Sequence, residues 1–560
     1  MNLANLGKAG ILVAQSRLQT AGHNINNSAT EGYNRQRVMV QSAGAGQTAA
    51  GWVGRGVQAV SVQRAYDSFL YSQLAESRTR GAALATYGDQ ISQVNNLLAD
   101  RTVGITPAIQ AFFDGVQAVA TAPADSAARQ ELLGRANSLV TQIKNANAFL
   151  DEQRSNINTQ VRTTVTQVNS ILDRIQDLNR QISTAKAVAP GQPPNDLFDQ
   201  RDQLVAELSQ IVDVQIFEQD DRVNITVANG QVLLGGDSVF HLDVRPSASD
   251  PSRLAVNYSI PNGVGGSTAV ELSDSLITGG TLGGLLSFRR EALDTVQNDL
   301  GRLAVGLAMA VNEIHGRGYD LTGAQGGDFF ALAAPKVIRG EGNAVDMDPA
   351  VRFVNPDQLT AQDYRVSYDG ASYVVTRVSD GAVLAVGNGI LSFDGLEVDV
   401  SGMAGAAPGD GWLIQPTRDA AASLAVALDD PARIAAAGGV DHDGVPATPN
   451  VGAGSANGDI ALEWAALQTR KVLGNGAMSL NEAYAQIVNK VGVLTQQNST
   501  AQKAQETLIQ QNYSAQQALS GVNLNEEYMN LNQYQEQFRA ASRLIDVSST
   551  LFDTLLSLRS

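Results

Sequence analysis

Cysteine is missing from all 560 residues, which removes disulfides, thiolate metal sites and cysteine nucleophiles together and suits a chain that passes unfolded between redox compartments. Cations are scarce: 39 Lys and Arg stand against 56 Asp and Glu, for a formal net charge of −17 and a pI near 4.7. A surface that tracks phosphates needs clustered Lys and Arg, so nucleic acid is set aside as a partner. Apolar runs are short as well. None reaches the ~18 residues of a membrane span, and residues 1–12 carry one lysine without the apolar core and small-residue cleavage site of a secretory signal. If the protein leaves the cell, a route other than a cleaved signal is expected. The length allows three or four domains with separate cores.

Helical periodicity is what the chain does have, above all at its ends. Ala4, Gly7, Ile11, Ala14, Leu18, Ala21 and Ile25 alternate spacings of three and four, the mark of a coiled-coil-like seam. The seam stops at Asn26-Asn27-Ser28. Thr30-Glu31-Gly32-Tyr33 then predicts a turn into an extended stretch, 37–40, followed by a Gly-rich loop over 43–56. Helix is predicted over most of 67–189, broken by Pro190-Gly191 and Pro193-Pro194, with a short helix beginning near Asp196. Alternating Val223, Ile225 and Val227 ahead of Asn229-Gly230 predict a β hairpin. Helix returns over 282–314, a Gly-rich loop covers 319–330, and a second β region spans 351–415. The segment 441–458 is a low-complexity loop. From 459 the chain is helical to its end, with one seam from Ile487 to Leu519, a break at Ser520-Gly521, and a second seam through Leu531, Tyr534, Phe538, Ile545, Phe552 and Leu555.

The expected fold class is α+β: long coiled-coil-like terminal helices and a helical bundle, with inserted β-rich domains. The expected division is a terminal helical unit of 1–45 with 515–560 and a helical body of 46–210, 277–345 and 419–514. A β segment at 211–276 joins the body, and an inserted β domain occupies 346–418. One buried stripe does not repay the backbone entropy of ordering so long a helix, so the last seam needs a partner. The first helix is the obvious one, because its Ala and Gly would let Tyr534, Phe538 and Phe552 approach. Even paired, each helix buries a single stripe. Pattern alone leaves two outcomes open: both ends dock on the chain's own body, or they are weakly ordered alone and fold against neighbouring subunits.

The stretch Leu18-Gln19-Thr20-Ala21-Gly22-His23-Asn24-Ile25-Asn26-Asn27, with Thr30-Glu31-Gly32-Tyr33-Asn34-Arg35-Gln36, resembles the amino-terminal signature of the flagellar axial family, the rod, hook and hook-associated proteins. That family usually has Ala near Asn26 or Asn27 and Pro near Glu31, mild departures that leave the fold expectation intact. The carboxyl end, from Ser520-Gly521-Val522-Asn523-Leu524-Asn525-Glu526-Glu527 to Leu555-Leu556, is similar to the matching family helix. Three internal stretches resemble the hook-associated branch: Asn195-Asp196-Leu197-Phe198-Asp199-Gln200-Arg201-Asp202, Gly279-Gly280-Thr281-Leu282-Gly283-Gly284-Leu285-Leu286, and Asp320-Leu321 with Gly326-Gly327-Asp328-Phe329-Phe330. The resemblance implies a structural subunit without catalysis. It implies a homo-oligomeric ring between the hook protein and the next hook-associated protein on the filament side, and type III export to the flagellum. A cytoplasmic export chaperone is expected on the C-terminal helix. Assembly contacts are expected at Ile11, Leu18 and Ile25, at Asn24, Asn27, Gly32 and Tyr33 around the helix exit, and at Leu531, Tyr534, Phe538, Ile545, Phe552 and Leu555. A capped helix with its exit turn, or an intramolecular core, is the plainer account of the same residues.

No cofactor or metal is expected. His23, His241, His315 and His442 are scattered without a second ligand at metal spacing, and His23 is expected to hydrogen-bond at the helix exit. Asp441-His442-Asp443-Gly444 opens like a calcium loop but lacks the later ligands. Gly54-Arg55-Gly56 and the paired glycines near 280 lack the Gly-Lys-Ser/Thr of a phosphate cradle and predict turns and close packing. Asn498, Gln505 and Asn512, seven residues apart, either set helix register or lie solvated at a bundle edge, the second being favoured. Rival functions are another axial subunit such as hook protein, a peptidoglycan-acting enzyme, for which no carboxylate pair stands out, and a surface adhesin.

Overall fold

A computed structural model of the chain describes residues 3–48, 51–99, 104–219, 222–227, 230–261, 267–440 and 451–558. The proposed hairpin residue Asn229 and the calcium-like opening 441–444 with His442 lie outside these residues. Helix α1 (Leu3–Asn26) leads into β1 (Gln36–Ser42), β2 (Ala45–Thr48), β3 (Gly51–Gly54) and β4 (Val57–Arg64). β1 pairs with β4 and β2 with β3, so the stretch predicted as a Gly-rich loop is a β ribbon. Its glycines gave no alternation to read; Gly44, Gly51 and Gly56 take positive φ at the strand ends.

Next come α2 (Ser68–Leu98), α3 (Ile105–Thr121), α4 (Ser126–Val188) and α5 (Asn195–Ile211). Asp67 caps α2 by accepting from the Phe69 and Leu70 amides, and Asp125 caps α4. After two small antiparallel sheets between 214 and 271, α6 (Gly280–Phe288) continues through a π turn at 289–293 into α7 (Asp294–His315). The paired glycines near 280 are close-packing sites: a Cβ on Gly283 would lie 2.4 Å from the Thr278 carbonyl carbon and one on Gly284 2.5 Å from Ala83 O. α8 (Ala420–Ser423), α9 (Asp459–Ala466), α10 (Leu480–Ser520) and α11 (Leu524–Ser557) complete the order. Ser479 and Glu482 form a reciprocal capping box on α10, and Asn523 caps α11.

The body is a continuous apolar core in which Phe112, Leu132, Val161, Ile175, Leu285, Val311 and Trp464 are wholly buried. The β unit has its own core around Tyr364, Val375, Val398 and Trp412. Its five-stranded sheet takes in Lys336–Arg339, paired with Gly411–Gln415, so strand pairing reaches upstream of 346. A buried ionic knot ties this unit to the body: Asp294 accepts from Arg154 at 2.8 Å, Arg418 at 2.9 Å and Arg253, and Arg418 also binds Asp363.

Candidate assembly interface

α1 and α11 run antiparallel, with Gly7 against Ala541 and Ile545 and Arg17 hydrogen-bonded to Gln537 at 3.0 Å. Small residues set this approach. A Cβ on Gly7 would stand 2.6 Å from Ile545 Cγ1 and 2.9 Å from Ala541 O. The buried line of α1 is Gly7, Val13, Ala14, Ala21 and Asn24; that of α11 is Glu527, Ala541 and Ser548.

The first helix is therefore the partner of the last, but the side chains expected in its Gly/Ala groove are not those found there. Ala541 and Ile545 enter it, and Tyr534 takes the Arg17 guanidinium over its ring. Phe538 is exposed and Phe552 is 61 % exposed. The physical reason lies in the register: Gly7 already faces 541–545, so α1 runs out before the last turns of α11. Leu551, Phe552, Leu555, Leu556 and Leu558 are thus left exposed, with no covering element among the described residues. Ile11, Leu18, Ile25, Leu531 and Ile545 are half-buried along the pair.

The exit of α1 is a closed hydrogen-bond device. Asn24 donates to Gln36 O and accepts from Gln36 N, both at 2.9 Å, and accepts from the Tyr33 hydroxyl at 2.8 Å. Asn27 donates to His23 O, and His23 lies 3.3 Å from Asp196, the helix-exit hydrogen bond expected of it. Gly32 takes φ +78°, where a Cβ would stand 2.9 Å from the Gln203 side-chain oxygen. Burial, reinforced by Asp196 and Asp199, pushes the Tyr33 hydroxyl well above its ordinary range, so it stays a donor to Asn24.

Three stretches far apart in sequence meet here. Asp199 accepts from the Asn34 amide at 3.0 Å, from Asn34 Nδ2 at 2.6 Å and from Arg64 at 3.0 Å, while Asp202 takes the same Arg64 nitrogen at 2.6 Å. Burial raises the Asp199 carboxyl pKa against the pull of Asn34 and Arg64. Arg35 donates its backbone N–H to Ser520 O and its guanidinium to Glu527 at 2.7 Å and Glu526 at 2.8 Å. The exit turn, the start of α5 and the α10–α11 junction are thus one polar knot. Sequence reasoning singled out all three stretches and missed that Asn34, Arg35, Arg64 and Asp199 join them.

A second seam holds α10 to α2. Asn498 donates to Leu84 O at 2.9 Å, Gln505 to Ser77 O at 2.9 Å and Asn512 to Ser77 Oγ at 2.7 Å. The favoured expectation of solvated amides is corrected: they bond across the pair. Gly88 makes room, since a Cβ there would stand 2.7 Å from Asn498 Nδ2. Among the described residues, no group of three or more His, Cys, Asp or Glu is placed to hold a metal ion, and no helix is long and apolar enough to cross a membrane.

Comparison with known proteins places these features. Residues 91–330 match the family described as flagellar hook-associated protein FlgK helical domain, 341–416 the flagellar hook-associated protein 1 D2-like domain, and 515–558 the flagellar basal body rod FlgEFG protein C-terminal family. The chain is 37% identical over 566 residues to flagellar hook-associated protein 1 of Salmonella typhimurium and 36% over 562 residues to that of Escherichia coli, in both cases covering 100% of each chain. The solved flagellar hook junction protein FlgK from Burkholderia pseudomallei is similar at 29% identity and a TM-score of 0.73, over 80% of this chain and 100% of that one.

Proposed function

The chain belongs to the flagellar hook-associated protein 1 family, and from that premise we propose that it is a structural subunit joining hook to filament, assembled through its terminal helices and without catalysis. The observation that carries this reading is the uncovered end of α11, where Leu555 is 66 % and Leu558 is 79 % exposed. Burying Leu551, Phe552, Leu555, Leu556 and Leu558 against neighbours is worth on the order of 5–10 kcal/mol per subunit. In solution the same stripe is an aggregation hazard. A cytoplasmic chaperone on the C-terminal helix, followed by type III export to the flagellum, fits a chain that carries it.

In this reading the partners are further copies in a ring, the hook protein below and the next hook-associated protein above. The terminal unit, 1–45 with 515–560, is the packed axial part, and the body and inserted β domain stand outside it. Ile11, Leu18, Ile25, Leu531, Phe538, Ile545, Phe552 and Leu555 supply the contacts. Asn24, Asn27, Gly32 and Tyr33 aim α1 and thereby the pair. Deleting the last thirty or so residues is expected to abolish filament attachment while hooks remain. A strain so truncated that still swims contradicts the junction role.

A further inference from the structure

The apolar core of the body stops short of the terminal pair. Among the described residues it holds none before Tyr87 and none after Leu494. α11 lies along α1, and α1 lies along the β1–β4 ribbon, where Gly56 meets Leu6 and Ala9. Together these elements form an arm, linked to the body by two short connections, 65–67 into α2 and 521–523 out of α10. A joint without a shared apolar core takes its geometry from polar contacts, and units of one chain joined that way are free to move unless those contacts hold them.

The polar contacts converge on the start of α5, where Asp196, Asp199 and Asp202 stand three residues apart and each receives the arm. Asp196 accepts from Gln36 Nε2 at 2.8 Å, but its side chain is 60 % exposed. Asp202 takes Arg64 and also faces Arg201, which in turn bonds Glu218. Asp199 is the buried centre, with the Asn34 amide, Asn34 Nδ2 and Arg64 all donating to it. Phe198 is buried beside it under the guanidinium groups of Arg64 and Arg201. Asn34 is itself wholly buried, and its side-chain oxygen accepts from the Tyr71 hydroxyl of α2 at 2.7 Å. The next two residues hold the arm: Arg35 binds Glu526 and Glu527 at the foot of α11, and the Gln36 main chain is gripped by Asn24 at the exit of α1. Arg17 and Arg37 line the same groove, yet among the described residues Arg35 alone is ion-paired with those two carboxylates. Three consecutive residues thus tie body, last helix and first helix, and Asp199 grips the first of them.

We propose that Asp199 is the positioning residue of this joint: by holding Asn34 and Arg64 it fixes the direction in which the arm leaves the body, while arm and body each keep their own fold without it. Without that carboxylate the buried donors of Asn34 must go to water, which reaches them only if the joint opens. The inference concerns the single chain and does not rest on what the arm packs against.

The natural lack of cysteine makes the test clean. Nitroxide labels are placed on full-length chain at the exposed positions Thr184→Cys of α4 and Gln535→Cys of α11, and in a second preparation at Gln15→Cys of α1 and Gln535→Cys. Distances are read by double electron–electron resonance, with labelled chain diluted in unlabelled chain. A single narrow arm-to-body distance is expected with Asp199 present. Asp199→Ala should widen that distribution at least two-fold, leaving the distance within the arm and the body's unfolding midpoint unchanged. Asp199→Asn, which keeps one acceptor oxygen, should fall between, and it decides by the same criterion if the alanine variant does not fold. An arm-to-body distance that is already broad in the native chain, or that stays narrow in the variants, overturns the proposal. Widening within the arm as well would make Asp199 a residue of the arm's own fold and overturns it too.

Discussion

The body and the terminal pair solve the same packing problem in opposite ways. In the body, α4 buries Leu132, Leu150, Val161, Leu172 and Ile175 completely, against large side chains such as Leu285, Val311 and Trp464 in one continuous core. Along α1 and α11 the closest contact is made at Gly7, Ala14, Ala21 and Ala541, with Ile545 entering beside Gly7, and the large side chains of the last turns of α11 are left exposed. A core of large residues completes itself within one chain. A seam of small residues brings two helices close and keeps their bulky stripes for something else. On the proposed function, the body is a finished object and the terminal pair is one element of a larger one.

The contrast can be broken hardest at the ionic knot of the body. Asp294→Asn leaves two buried arginines, Arg154 and Arg418, and the half-buried Arg253 short of a carboxylate, and a loss of about 3–5 kcal/mol is expected by denaturant unfolding at neutral pH. The sign with pH follows: the Asp294 carboxyl is buried, yet Arg418, Arg253 and Arg154 hold it far below the usual range. Its contribution is present above about pH 3.9 and is lost as pH falls toward the folded pKa. A smaller and strictly local effect is expected at the terminal pair. Gly7→Leu drives into Ile545 and Ala541 at a cost of about 1–3 kcal/mol. Hydrogen exchange should quicken in α11 while the body's unfolding midpoint stays put; a body that loosens as well would erase the distinction.

The smallest effect is a slope. His315 is buried with both ring nitrogens engaged: Nδ1 bonds the Gly327 carbonyl at 2.7 Å and Nε2 accepts from the Ala435 amide at 2.9 Å. Burial lowers its pKa, partly offset by the Gly327 bond and by Asp320 and Asp328, with Arg129 acting against protonation. Below about pH 6.5 the unfolded chain takes up a proton that the folded chain resists. Stability therefore falls as pH drops from there toward the folded pKa. His315→Gln should flatten that slope in urea titrations between pH 5 and 7, read at about those limits.

Periodicity made the long helices legible, because Ile487, Val491 and Leu494 or Val161, Val165 and Val168 show their spacing without any structure. The partnership of α1 with α11 was legible too, since a Gly/Ala seam needs a close neighbour. Its register was not: nothing local tells which of Phe538 or Ala541 faces Gly7, and that choice decides which apolar side chains stay outside. The amides of α10 look the same whether they meet water or Ser77 and Leu84, because the acceptors sit on a helix some four hundred residues away. The polar knot was half visible, as three stretches worth naming, while the bonds of Asn34 to Asp199 and of Arg35 to Glu527 exist only once the chain has folded. The β2–β3 ribbon was hidden for a different reason: glycine has no side chain with which to alternate.

Replacing Phe552 and Leu555 together by Asp tests the central claim most directly, because both side chains lie on the uncovered end of α11. The account predicts a purified chain with unchanged unfolding midpoint and helix content, and cells that build hooks but hold no filaments. Swimming cells with filaments in place, or a purified chain that unfolds at a markedly lower midpoint, would show that this stripe belongs to the fold of the single chain and not to its neighbours.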